Sequence, residues 1–334
     1  MAKRTFRVPG ECVPLLDIVS LGRGGPHGAG RQLTTQQVEQ IRRTVQRTPE
    51  VMVKVLGRNS NDLKAAAKHL DYIGRKGELE LETDDGETLK GRVGQSLLED
   101  WDLDIDDARR QGDLKATDGR KPPRLIHKLM FSMPPGTPPS KVLGAVRNFA
   151  REEFALQHRY ALVLHTDEPH PHVHLVLKAV SEQGVRLNIK KVTLRHWRSE
   201  FARHLRLLGV AANATERAVR GESRSSKKDG IYRASKRGES TYMRAQTEAI
   251  ASAVSTAAIF VDSSKVRLVE THKQVERGWS RVAIGLGRGS QPGLAVEVMK
   301  FVVNMVPPQT EKEWIAAALM EKMRSRRLEH TRLP

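Results

Sequence analysis

The chain has 334 residues, with 57 Lys and Arg against 39 Asp and Glu and a formal net charge of +18. An excess of that size implies a polyanionic partner, nucleic acid above all, with an anionic membrane surface as the other physical option. No apolar run approaches the ~20 residues needed to span a bilayer, no secretory signal opens the chain, and the single cysteine, Cys12, excludes a disulfide framework and a Cys-based zinc ribbon.

Residues 1–49 read as a basic, Gly-rich arm. Its run 21–31 lacks the Gly-Lys-Ser/Thr ending of a phosphate-cradling loop, and only 36–48 has the spacing of a short helix. The core begins at residues 51–56, a β-branched, partly alternating strand. Residues 62–73 have helical spacing, with Leu63, Ala66, Ala67, Leu70 and Ile73 on one stripe, Asp62 as N-cap and Gly74 or Gly77 as stop. Tyr72 stands near the end of this helix, followed by Arg75 and Lys76. Alone it is an ordinary surface tyrosine. Beside a cation and basic groups that favour its charged form, it is a nucleophile for phosphorus. Residues 78–86 are strand-like, 94–112 form a helix with an acidic face, and 112–123 a basic, polar loop. Residues 124–133 form a strand with Ser132 at its end, ahead of a Pro-Pro-Gly corner, and 141–157 an amphipathic helix.

The stretch 165–174 holds four of the twelve histidines and two carboxylates. Apolar runs flank it, 161–164 before and 175–177 after, and both read as short buried strands. The Asp-Glu-Pro-His-Pro segment between them is turn-rich, so the strands are expected side by side. Alternation along a strand puts His172 and His174 on one face. With His165 at the end of the neighbouring strand they make a cation site, in which Glu168 could replace one ligand and Asp167 could orient another. Imidazole with carboxylate suits Mn, Zn, Ni or Fe, and Mg where phosphate oxygens complete the shell.

Residues 194–208 make a further helix, with Trp197, Phe201, Leu205 and Leu208 on its apolar side. The order of elements predicts an α+β fold: an antiparallel or mixed central sheet with helices packed on one side. Residues 50–215 would form this domain, 216–244 a basic linker that orders on nucleic acid, and 245–334 a small helical accessory region.

Three motifs, in this order, resemble those of conjugative relaxases, the mobilisation nucleases of transferable plasmids, and within them the branch that contains the border endonuclease of Agrobacterium T-DNA transfer. They are His69-Leu70-Asp71-Tyr72-Ile73-Gly74-Arg75-Lys76-Gly77, Phe131-Ser132-Met133-Pro134-Pro135-Gly136, and the stretch from His165 to His174. The likeness covers about residues 50–240. It implies a metal-dependent DNA strand transferase that nicks one strand at a transfer origin. Tyr72 would be the nucleophile of a 5′-phosphotyrosyl intermediate and Asp167, or Asp71, its proton acceptor. His165, His172 and His174 would hold a divalent ion, Mg or Mn in use, with Zn or Ni also compatible. Arg75, Lys76, Ser132, Lys190 and Lys191 would contact DNA. Tyr160, Tyr232 and Tyr242 are fallback nucleophiles. The implied partners are single-stranded DNA, accessory relaxosome proteins and a type IV secretion coupling protein, with no membrane insertion. The implied setting is the bacterial cytoplasm, with export to a recipient attached to DNA. Three other readings compete. A rolling-circle replication initiator usually carries its tyrosine after the His motif. A non-catalytic DNA-binding protein would use the metal structurally. A water-using hydrolase would cleave without Tyr72.

Overall fold

A computed structural model of the chain describes residues 5–6, 17–22, 33–57, 62–103, 124–222, 229–255 and 263–330. These fall into two compact units, one built on Gln46–Ala214, the other on Leu15–Val45 with Thr215–Pro334. The loop expected at 112–123 and the part of the acidic helix beyond residue 103 lie outside the described residues.

The first unit is organised on strands β2 (Met52–Val55), β3 (Leu81–Thr83), β4 (Thr88–Leu89), β5 (Ile126–Ser132), β6 (Tyr160–His165) and β7 (His172–Lys178). They form one sheet in the order β2-β5-β7-β6-β3-β4, and every pairing in it is antiparallel. The expected α+β class with an antiparallel sheet is therefore observed. A separate two-stranded pairing joins β1 (Thr5–Phe6) to β8 (Arg186–Leu187).

Strand β7 is buried along its whole length, so its alternation sorts side chains between two protein layers rather than between protein and water. Val173, Leu175 and Leu177 face the larger layer, made by α5 (Pro139–Phe154) and α6 (Lys191–Leu207). The aromatic rings there interlock, Phe131 against Phe149 at 5.0 Å and Phe154 against Trp197 at 5.6 Å. Each fully buried side chain of this kind contributes about 1.5–3 kcal/mol.

His172 and His174 face the other way, toward α3 (Leu63–Ile73) and α4 (Gly94–Asp100). The stripe of Ala66, Ala67, Leu70 and Ile73 packs on Ile126, Ala161, Val163 and Val176. Helices thus cover both faces, where the order of elements predicted cover on one side. The reason is that α3, between β2 and β3, has an apolar stripe of its own to bury. Asp62 caps α3 as expected, accepting from the Ala65 N–H at 2.9 Å.

The second unit departs from the expected free arm over 1–49. Helix α1 (Ile18–Gly22) and helix α2 (Thr35–Val45) are part of a buried cluster with α9 (Ser263–Arg288) and α10 (Pro292–Val303). Ile18 and Ile41 are fully buried with Trp279. The chains meet so closely that a Cβ on Gly278 would lie 2.0 Å from the Ile18 carbonyl oxygen. The Gly-rich run 23–32 lies outside the described residues. The expected linker 216–244 contains a helix, α7 (Asp229–Lys236), and runs into α8 (Thr241–Ser255); helix α11 (Glu311–His330) ends the unit. Among the described residues no helix is long and apolar enough to cross a membrane.

Two buried histidines in the first unit make its stability pH-dependent. His127 Nε2–H donates to the Leu187 carbonyl at 3.3 Å and His158 Nδ1–H to the Lys178 carbonyl at 3.0 Å. Burial, with Arg124 nearby, pushes His127 down to about 4, and burial lowers His158. A histidine depressed in the fold binds its proton more readily when unfolded, so its stabilisation is complete above pH ~6.5 and is lost as pH falls toward its folded value. The expected loss from His127 between pH 7 and pH 4 is on the order of 1–3 kcal/mol. Urea midpoints of wild type and His127→Gln across that range measure it, and parallel profiles exclude it.

Candidate metal centre and nucleophile

The antiparallel pairing of β6 with β7 sets His165 opposite His172 and Val163 opposite His174. All three imidazoles therefore converge at one end of the hairpin, with ring centroids 5.1 Å (His165–His172), 4.6 Å (His165–His174) and 5.2 Å (His172–His174) apart. One ring nitrogen of each lies within 4.8 Å of the others.

Hydrogen bonds assign two of the tautomers. His165 Nε2 lies 2.7 Å from the Ile73 carbonyl oxygen. A carbonyl only accepts, so Nε2 carries the proton and Nδ1 the lone pair. His172 Nδ1 lies 3.0 Å from the His170 carbonyl, which leaves the lone pair on Nε2. Burial lowers His165, and burial with the charges of its two partner histidines pushes His174 down to about 3. Both shifts favour the neutral imidazole that a ligand must be. Three converging imidazoles fit a divalent ion of the Mn, Zn or Ni type that keeps open positions for substrate oxygens.

Glu168 is exposed in the turn and is not part of the three-nitrogen group. In a second grouping, Glu152, Glu200 and His204, both carboxylates are already engaged by the Arg203 guanidinium.

Tyr72 lies in the last turn of α3 and is 57% exposed. The guanidinium of Arg75 stands 5.9 Å from its ring centre. Arg75 also forms an ion pair with Asp167, and its Nη2 lies 3.5 Å from His165 Nδ1. Against the penalty of burial, its own backbone N–H and Arg75, with the neighbouring histidines, together hold Asp167 below the usual carboxylate range. Asp167 is thus engaged by Arg75. Asp71 is used structurally: its Oδ1 accepts the Gly94 N–H at 3.0 Å, joining α3 to α4.

The turn that delivers Arg75 is left-handed, with φ of 52° at Arg75, 58° at Lys76 and 102° at Gly77. Two consecutive non-glycine residues in this region are costly, and such strain gathers at working sites. Lys76 is exposed. Ser132 is buried, in register with His172 across β5 and β7. Lys190 and Lys191 stand exposed at the start of α6, a helix of the opposite layer. Of the fallback tyrosines, Tyr160 is buried and pushed up to about 12 by that burial and by Asp84, which suits packing. Tyr232 and Tyr242 are in the second unit.

Two residues gain a place here that sequence reading did not give them. His69 lies on the same helix as Tyr72, its ring 6.5 Å from both Tyr72 and His174; the i, i+3 spacing from Tyr72 was the available signal. Lys128, on β5, is buried and its pKa is lowered by burial. Its charge helps keep His69 neutral.

Residues 72–206 match the family model described as Relaxase: MobA/VirD2-like, nuclease domain. The chain is 24% identical over 199 residues to the T-DNA border endonuclease VirD2 of Rhizobium radiobacter, over 52% of this chain and 43% of that protein. It is 23% identical over 200 residues to the protein of the same name from Rhizobium rhizogenes, over 52% and 42%. The match thus spans less than half the length of these relatives. A solved chain described under "Molecular Basis of Vancomycin Resistance Transfer in Staphylococcus aureus" is 14% identical, with a TM-score of 0.29, over 51% of this chain and 99% of its own. The resemblance carried by the three sequence motifs is borne out: from Tyr72 to Arg206, across the histidine hairpin, the chain is similar to the nuclease domain of MobA/VirD2-like relaxases.

Proposed function

We propose that the sheet-bearing unit is a relaxase that nicks one DNA strand at a transfer origin through Tyr72. The observation that carries this is the meeting, at the end of α3, of an exposed tyrosine, a guanidinium over its ring and a cluster of three histidines. A divalent ion held by His165, His172 and His174, Mg or Mn in use, would polarise the scissile phosphate as a Lewis acid. Tyr72 Oη attacks phosphorus in line, the bond to the 3′-oxygen breaks, and that oxygen leaves as a 3′-hydroxyl after taking a proton. The phenolic proton passes to solvent, to which Tyr72 is open. Arg75, steered by Asp167, neutralises a phosphate oxygen. The phosphotyrosyl ester conserves the energy of the broken bond, so a 3′-hydroxyl can later rejoin the strand.

The net charge of +18 supports a nucleic-acid partner, and Lys76 and Arg75 are its proposed phosphate contacts. On the same reading the protein works in the bacterial cytoplasm with accessory relaxosome proteins and a type IV secretion coupling protein, and travels to the recipient attached to DNA.

The test is incubation of the full chain with end-labelled single-stranded oligonucleotides covering a transfer origin and Mg2+ or Mn2+, followed by denaturing electrophoresis. Label that remains with the protein, and does so only with the metal, is the expected result. Cleavage without retained label points instead to a water-using nuclease, and binding without cleavage to a DNA-binding module.

A further inference from the structure

Histidines that hold a metal almost always donate their second ring nitrogen to an acceptor, which fixes the tautomer and the ring plane. His165 does so to Ile73 and His172 to His170. His174 breaks the pattern: its Nδ1 is buried and has no hydrogen-bond partner among the described residues. One other imidazole nitrogen close by is in the same condition, Nε2 of His69. The two rings meet edge-on, 77° between planes and 6.5 Å between centroids. With its proton on Nδ1, His69 presents a lone pair at Nε2, the complement of an Nδ1–H on His174.

We propose that His69 becomes the acceptor for the Nδ1–H of His174 once the cation is seated, and is therefore a positioning residue that ties the cation-holding imidazoles to the helix turn bearing Tyr72. The inference rests on the reading of His165, His172 and His174 as ligands. It gives the site a coupling that the three ligands alone lack. His69 stacks on Tyr72, rings 6.5 Å apart and 22° from parallel, so the imidazole that orients His174 also supports the nucleophile. A cation seated on His174 and a tyrosine aimed at the same phosphate are then set by one side chain.

Isothermal titration of the full chain with Mn2+ alone, without DNA, tests it. His69→Phe, which keeps the ring and removes the acceptor, is expected to weaken Mn2+ binding ~10–100-fold. His69→Gln, whose amide oxygen can accept, is expected to recover most of that loss. Should Phe not be accommodated, His69→Met supplies a side chain of Gln's length without the amide, and circular dichroism confirms that each variant is folded. Wild-type affinity in His69→Phe or His69→Met overturns the inference while leaving the ligand set standing. Equal weakening in Gln and in the acceptor-free variants also overturns it, since packing alone would then account for the loss. No Mn2+ binding by wild type, or unchanged binding by His172→Ala, removes the ligand reading itself and this inference with it.

Discussion

Tyr72→Phe is expected to eliminate the covalent protein–DNA adduct, lowering its rate of formation by at least about a thousandfold, the scale seen when a nucleophile is removed from a preorganised site. Fold and metal site should be untouched. Tyr72 is 57% exposed and its hydroxyl anchors nothing in the core, so the stability change should stay within about 0.5 kcal/mol. The phenyl ring still offers a face to the Arg75 guanidinium, 5.9 Å away, so that contact is retained. Three measurements on one preparation separate the rival readings: label retained after denaturation, total strand cleavage, and the Mn2+ isotherm. Loss of label with normal Mn2+ binding assigns the nucleophile. Cleavage that persists without label assigns a water-using reaction and leaves Tyr72 a surface residue. Label that persists in full moves the nucleophile elsewhere. Tyr160 is a poor substitute, since ionising a buried phenol pushed up to about 12 is costly at neutral pH.

How far the site could be read from sequence depends on how local its determinants are. The hairpin was legible because apolar runs on both sides of a turn-rich segment read as neighbouring buried strands, and their antiparallel pairing sets His165 opposite His172. The capped helix over 63–73 was legible for the same local reason. The place of Tyr72 beside the histidines was not: β3, β4, α4, β5 and α5 intervene, and only the order of the motifs suggested the encounter. His69 was passed over because nothing in its neighbours' identity says that its Nε2 lies buried near His174. The sense of the Arg75–Lys76 turn was also hidden, since neither residue favours positive φ. The N-terminal residues were misjudged because Val38, Ile41 and Val45 have their apolar partners in α9 and α10, at the far end of the chain. A short amphipathic helix cannot announce a partner so distant in sequence.

Gly77→Ala is expected to destabilise the fold by about 2–4 kcal/mol from backbone strain and overpacking together. Gly77 sits at φ 102°, and a Cβ there would lie 2.6 Å from Gly91 Cα and 2.7 Å from its carbonyl carbon. Backbone atoms cannot rotate aside as a side chain can, so one of the two turns must move. Gly86 provides the control: its φ is 90°, and a Cβ would meet nothing within 4 Å. Gly86→Ala therefore carries only the conformational cost of a left-handed alanine, about 1–2 kcal/mol. The difference between the two urea midpoints isolates the clash, and equal midpoints would show that the Gly77–Gly91 approach is not maintained in solution. The consequence for chemistry follows from what the turn carries. Arg75 reaches Asp167 and the Nδ1 of His165 because Arg75, Lys76 and Gly77 reverse the chain within three residues. A shifted turn withdraws the guanidinium from the phosphate while leaving Tyr72, one helical turn earlier, in place. Gly77→Ala should then form adduct slowly through the same tyrosine, with its Mn2+ affinity much less affected, because the three histidines are held by the hairpin and not by the turn.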